Sequence, residues 1–202
     1  MLESPSHSDS DLLRLLSRGD EAAFIEFYRR NQGTVYRFAL QMSGQPEIAE
    51  EVTQDVFMAL MASASRYDRE RGTVAAFLYG IARNLVLKAL ERERPYIKLI
   101  EDGAASLMPL AAGADTLGEL ARNERVEILR KAVLALPPAY REVVVLCDLH
   151  ERDYAEAACA LGCAIGTVRS RLHRARALLM EKMRAGERSL EKDAVWKTTG
   201  SF

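Results

Sequence analysis

The chain has 202 residues, enough for one medium domain or two small ones, and its 28 Lys and Arg against 29 Asp and Glu leave a net charge of −1. Near neutrality excludes attraction of nucleic acid by bulk charge, so any polyanion-binding surface must be a local concentration of bases. Apolar runs such as 143–146 are far too short to span a bilayer, and the opening MLESPSHSDSD lacks a basic segment followed by an apolar core, so a cytoplasmic protein without membrane insertion is expected.

Strand signals are nearly absent and apolar residues recur at helical spacing, which predicts an all-α fold of two small helical domains joined by a flexible linker, the second containing a helix-turn-helix. A polar leader over 1–8 is expected to be mobile. Helices are predicted over 9–17, 20–31, 34–42, 46–63 and 74–94, with Asp20 and Thr34 as N-caps and Pro95 as the stop of the long helix. These make a first domain over 9–95. Glycine, alanine, one proline and small polar residues then dominate 96–116, the composition of a linker.

A second domain is expected over 117–184, with helices over 120–135, 138–149, 153–161 and 166–183, and Pro138 suited to a first helical turn. The polar tail over 185–202, with its lone Trp196, is expected to fray. Within this domain YAEAACALGCAIGTVRSRLHRAR reads as an alanine-rich helix, a glycine turn and an arginine-studded helix, the order of a helix-turn-helix. Ala158, Leu161, Ile165, Val168 and Leu172 can meet in one core, which leaves Arg169, Ser170, His173 and Arg174 on the opposite face to enter a major groove. Arg171, Arg176 and the N–H groups of Gly166, Thr167 and Val168 suit phosphates, because a helix start concentrates positive potential. Six Lys or Arg stand against the single acid Glu181 between positions 164 and 184.

Residues 136–179, LPPAYREVVVLCDLHERDYAEAACALGCAIGTVRSRLHRARALL, closely resemble the minus-thirty-five-reading domain of extracytoplasmic-function (ECF, RpoE-like) sigma factors, sigma-70-family subunits of bacterial RNA polymerase. GDEAAFIEFYRRNQGTVYRFALQMSGQPEIAEEVTQDVFMAL and FLYGIARNLVLKALERER resemble the front and back halves of that family's other domain. The resemblance implies an alternative sigma factor that directs initiation by reading minus-thirty-five duplex and melted minus-ten DNA. Implied partners are core polymerase, through its β′ clamp helices and β flap, promoter DNA and an anti-sigma factor. It further implies that Glu50, Glu51, Gln54, Asp55 and Phe57 dock the clamp helices, which agrees with an acidic helix free of basic residues and striped by Val52, Val56 and Leu60. For minus-ten DNA it points to the loop over 67–74 and to Asn84. Interleaved bases and aromatics there add Tyr67, Arg69, Arg71, Tyr79 and Arg83, since arginines follow phosphates while aromatics hold unstacked bases. Phe77, Leu78, Ile81 and Leu85 lie at core spacing. Phe77, where the family often has tryptophan, and Lys88, where it often has aspartate, are departures that bear on minus-ten preference.

No catalytic constellation, phosphate-binding glycine loop or metal-spaced histidine pair is present, so neither enzyme activity nor a cofactor is expected. Cys147, Cys159 and Cys163 with His150 invite a zinc or redox reading, but Cys147 and Cys159 fall at apolar helical positions and Cys163 in the turn, as expected for packed free thiols. A stand-alone repressor or activator binding palindromic sites as a homodimer is the other reading of a helix-turn-helix, and a thiol or metal sensor a third.

Overall fold

A computed structural model describes the backbone of residues 7–101 and 117–199, with side chains over 7–93 and 123–188. Among the described residues every regular element is helical. The leader expected to be mobile lies outside the described residues except for its end, and there Ser8 is structured. Its hydroxyl accepts the Asp11 N–H at 3.2 Å and caps α1 (Asp9–Leu16), which buries Leu12, Leu13 and Leu16.

Asp20 caps α2 (Glu21–Ser43) by accepting the Ala23 N–H at 3.0 Å. The break expected between positions 31 and 34 is absent, and Thr34 is a mid-helix residue rather than a cap. A glycine inside a helix costs only about 1 kcal/mol. Phe27 before Gly33 and Val35 and Phe38 after it are all fully buried on one side, and that burial outweighs the cost. Gly44, at φ +76°, closes α2 with its N–H on the Leu40 carbonyl. α3 (Pro46–Ser63) starts on proline and buries Ile48, Val52, Val56 and Leu60 against α2 and α4. A single 3₁₀ turn (Ala64–Arg66) leads into the loop before α4 (Val74–Glu101). The Thr73 hydroxyl accepts the Ala76 N–H at the start of that helix. Pro95 does not stop α4: a proline's φ is already helical and removes one hydrogen bond near the helix end. The expected linker therefore begins inside a helix, and its remainder, 102–116, lies outside the described residues.

The second domain comprises α5 (Leu117–Leu134), α6 (Pro138–Val144), which continues as a π-helical turn (Val145–Leu149), α7 (Tyr154–Leu161) and α8 (Ile165–Thr199). Asp153 caps α7 by accepting the Glu156 N–H at 2.8 Å, and Gly162, at φ +61°, ends it. The tail expected to fray instead extends α8 past position 183 as continuous helix, and the packing of α8 on α5 brings Gly186 against Ile128. Val143, Val144, Val145 and Leu146 are all completely buried, the mark of a helix covered on every side. One continuous hydrophobic cluster runs from α1 through α6 and α7 to α8, so the two domains share a core.

Candidate nucleic-acid interface

The turn between α7 and α8 is built by Gly162, which takes a conformation disfavoured for other residues. Ala158, Leu161, Val168 and Leu172 are buried as expected, together with Ala175. Ile165 is the exception, 42% exposed: as the first residue of α8 it has no preceding turn to cover it. Arg169, Ser170, His173 and Arg174 are all exposed on one face, Thr167 and Arg171 are half-buried, and Arg176 is exposed but holds Asp148 at 2.6 Å. The Arg169 guanidinium lies 5.8 Å from the Tyr154 ring centroid, a cation–π contact that orients it. Tyr154 was not singled out from sequence, since no helical period links positions 154 and 169.

On the first domain, the loop over 67–74 and the start of α4 enclose a cavity of about 300 Å³ lined by Arg66, Tyr67, Arg71, Phe77, Asn84 and Cys159. Tyr67 donates its hydroxyl to the Gly72 carbonyl at 3.2 Å and packs its ring 5.6 Å from Phe77. Arg69, Arg71 and Asn84 are exposed. Phe77, Ile81 and Leu85, assigned to the core by spacing, are only half-buried, and Phe77 and Ile81 line this cavity, whereas Leu78 is buried. Tyr79 and Arg83 differ from expectation more sharply. Tyr79 is 4% exposed, and Arg83 binds the buried carboxylate of Glu142 through Nε at 2.8 Å and Nη2 at 3.4 Å. Both groups face the second domain because α7 packs along α4.

On α3, Glu50, Gln54 and Asp55 are exposed, and Glu51 is exposed but held by Arg92 at 2.8 and 2.9 Å, a bidentate pair that keeps its carboxyl below the usual carboxylate range. Phe57 is a core residue, 3% exposed, with its ring 4.7 Å from Tyr28 and 6.4 Å from Phe27. The exposed apolar groups of this face are Met58 and Met61, at 64% and 50% exposure, four and seven residues beyond Gln54. The sequence alone places both methionines at helical spacing from Gln54.

All three cysteines are free. Cys147 is half-buried, and burial pushes its thiol up to about 11, which disfavours the thiolate form. Cys159 corrects the expectation of core packing: it is exposed, and its thiol donates to the Arg71 carbonyl at 3.0 Å across the domains. Among the described residues, no group of three or more His, Cys, Asp or Glu is arranged to hold a metal ion. Nor is any described helix long and apolar enough to cross a membrane.

The chain matches the family model described as Sigma-70 region 2 over residues 27–96 and that of Sigma-70, region 4 over 126–179. It is 34% identical over 167 residues to the ECF RNA polymerase sigma factor SigE of Mycolicibacterium smegmatis, covering 81% of this chain and 63% of that protein. With the sigma factor SigM of Mycobacterium tuberculosis it is 32% identical, covering 85% of this chain and 83% of the relative. CnrH, solved in complex with the cytosolic domain of CnrY, superposes at a TM-score of 0.65 with 25% identity, over 89% of this chain and 99% of that one. The sigma factor RpoE, solved with the anti-sigma factor NepR from Bartonella quintana, gives 0.59 with 25% identity, over 80% and 96%. With a region 2 followed by a region 4, the chain belongs to the ECF sigma factors, alternative subunits of the sigma-70 family that direct RNA polymerase to promoters.

Proposed function

We propose that α8 reads the minus-thirty-five duplex through Arg169, Ser170, His173 and Arg174, with Thr167, Arg171 and Arg176 at the phosphates. The observation that carries this reading is the division of one helix: these four side chains are exposed while Val168, Leu172 and Ala175 are buried, so a rigid core presents a polar, basic face. Arg176 would exchange Asp148 for phosphate, an exchange that costs little for an exposed pair.

The cavity beside Tyr67, Arg71 and Asn84 is suited to an unstacked minus-ten base, with Arg69 on the backbone. Tyr79 and Arg83 join this surface once their partners in the second domain release them. On α3, Glu50, Glu51, Gln54 and Asp55 with Met58 and Met61 make an acidic, partly apolar face for the β′ clamp helices, supported from beneath by Phe57. Region 4 engages the β flap. In this reading residues 9–95 form the polymerase-docking and minus-ten unit and 117–184 the minus-thirty-five unit. Sigma factors are initiation factors rather than enzymes, and here the chemistry belongs to the polymerase, within the cytoplasm. The anti-sigma factor in the RpoE structure supports a partner of that kind here.

Run-off transcription with purified bacterial core polymerase on a genomic fragment library, followed by mapping of start sites, tests the reading. New starts sharing two spaced upstream elements are expected. Tight duplex binding without polymerase, and without new starts, would replace it with a repressor or activator.

A further inference from the structure

Arg169, Arg171, Arg174 and Arg176 stand on one helix but differ in what already holds them. Arg176 is gripped by Asp148 of the π-helical turn, Nη2 to Oδ1 at 2.6 Å and Nε to Oδ2 at 3.2 Å. Among the described residues it is the one arginine of the four in an ion pair. Arg169 lies over the ring of Tyr154, an uncharged partner that orients it and leaves its charge uncancelled. Seven residues, about two helical turns, separate Arg169 from Arg176, so both project on the same side of α8.

The grip on Arg176 has the form in which a guanidinium also takes a phosphate, two parallel N–H donors meeting two anionic oxygens. Hydrogen bonding to Asp148 accordingly raises the pKa of Arg176. The acid is fixed at its backbone. Val145 and Leu146 of the same turn are completely buried, and the His150 N–H closes the turn on the Val145 carbonyl at 3.0 Å. The Asp148 side chain is 26% exposed and that of Arg176 53%, so the arginine, longer and more open to solvent, is the partner able to swing.

Swinging gains little. Moving Arg176 from Asp148 to a phosphate trades one fork for an equivalent one and leaves a carboxylate unpaired. A Lys or Arg that neutralises a phosphate releases about 0.9 counterion from duplex DNA, and an arginine that stays on Asp148 releases none. Arg169, Arg171 and Arg174 have no such competitor among the described residues.

We propose that Asp148 acts as an internal stand-in for a DNA phosphate, holding Arg176 so that α8 grips duplex less tightly, and with a shallower salt dependence, than its arginines alone would give. This rests on the assignment of Arg176 to the phosphate backbone made above and names the residue that limits it. Base reading is left unaltered, because phosphate contacts carry no sequence information directly. Asp148 is a positioning residue, acting through Arg176 rather than on DNA. A lightly held duplex keeps the second domain exchanging among non-specific sites until the holoenzyme couples it to the first.

The test measures binding of the full-length chain to two fluorescent duplexes by anisotropy, between about 50 and 200 mM salt. One duplex carries the minus-thirty-five element mapped by run-off transcription, and the other is scrambled. Asp148→Asn keeps the shape of the side chain and removes its charge. It is expected to bind both duplexes about three- to fivefold more tightly, and to steepen the plot of log affinity against log salt by as much as about 0.9. Asp148→Ser gives the same neutralisation with a smaller side chain, so the result does not depend on the folding of one variant. Asp148→Glu keeps the charge and is expected to retain the wild-type slope. In an Arg176→Ala background the steepening should be largely lost, since neutralising the acid then releases no arginine. Arg174→Ala, measured alongside, should lower preference for the mapped duplex. Unchanged slope and affinity in both neutral variants, or the same steepening without Arg176, overturns the role of Asp148 and leaves the sigma-factor reading intact. If no variant, Arg174→Ala included, changes binding to either duplex, the assignment of α8 to the duplex falls and the role of Asp148 with it.

Discussion

Arg174 and Asp55 are the side chains at which the two proposed tasks of this chain can be separated. Arg174 is exposed on α8, and in the proposed reading Arg174→Ala is expected to reduce initiation at the cognate promoter about tenfold or more, since a bidentate arginine to guanine contact is worth roughly 1 to 3 kcal/mol. Core association, measured by co-purification, should be unchanged; a parallel loss of both would deny the separation of roles. Asp55→Arg should do the reverse, weakening core association by charge repulsion while full-length protein still enters assembled promoter complexes at saturating core concentration. His150 makes a third case. Burial, reinforced by Arg37 of α2 and by Arg152, pulls its pKa down to about 4, and its remaining neighbours Tyr79, Gln41 and Phe38 bring no compensating negative charge. Between about pH 6.5 and 4 the unfolded chain takes up a proton that the folded chain refuses, so folding stability falls as pH falls through that window. Denaturation at pH 7 and pH 5 should show wild type losing about 1 kcal/mol more than His150→Gln, in which nothing titrates at that position, solvent screening of the partly exposed ring reducing the full effect of the shift. Equal losses would remove His150 from the energetics of the domain contact.

Helices one by one were largely legible, because each depends on local signals. Asp20, Pro46, Pro138 and Asp153 mark helix starts by capping or by a preset φ, and the structure uses all four. Failures came where the helix ran through a local breaker. Gly33 did not divide α2, because buried residues on both sides of it lie on one stripe, and Pro95 did not end α4. The π-helical turn after α6 had no local signal, and its His150 N–H to Val145 carbonyl bond of 3.0 Å is the wide turn that delivers His150 to Tyr79. Within the helix-turn-helix, Leu172 is 1% exposed and bears the packing that orients the reading face. Leu172→Ala should destabilise the protein by about 2–5 kcal/mol in chemical denaturation. A cost below about 1 kcal/mol would mean that α8 is held chiefly by its long extension against α5.

Over the whole molecule the two domains are not beads on a string. They share one hydrophobic cluster and a polar seam, and a chain tethered in this way gains from each contact without the entropy cost of bringing two separate molecules together. Reading two promoter elements at once requires a fixed separation of the two modules, which docking on polymerase is expected to supply. The free subunit is accordingly expected to bind promoter duplex weakly and holoenzyme strongly, by gel shift with and without core polymerase, and strong binding by the free subunit would contradict this division.

The all-α class, the order of the two domains, the helix-turn-helix and its exposed basic face were readable from residues alone, because helical periodicity, caps and a glycine turn act over a few residues. The acidic face of α3 was readable for the same reason, down to the methionines spaced four and seven from Gln54. Chain order carries no comparable record of which helix meets which across 71 positions from Tyr79 to His150 or 59 from Arg83 to Glu142. Those pairings, the burial of Tyr79, the core role of Phe57 and the exposure of Cys159 arise from tertiary packing, in which a residue's partners depend on how two helix surfaces fit and not on its neighbours in sequence.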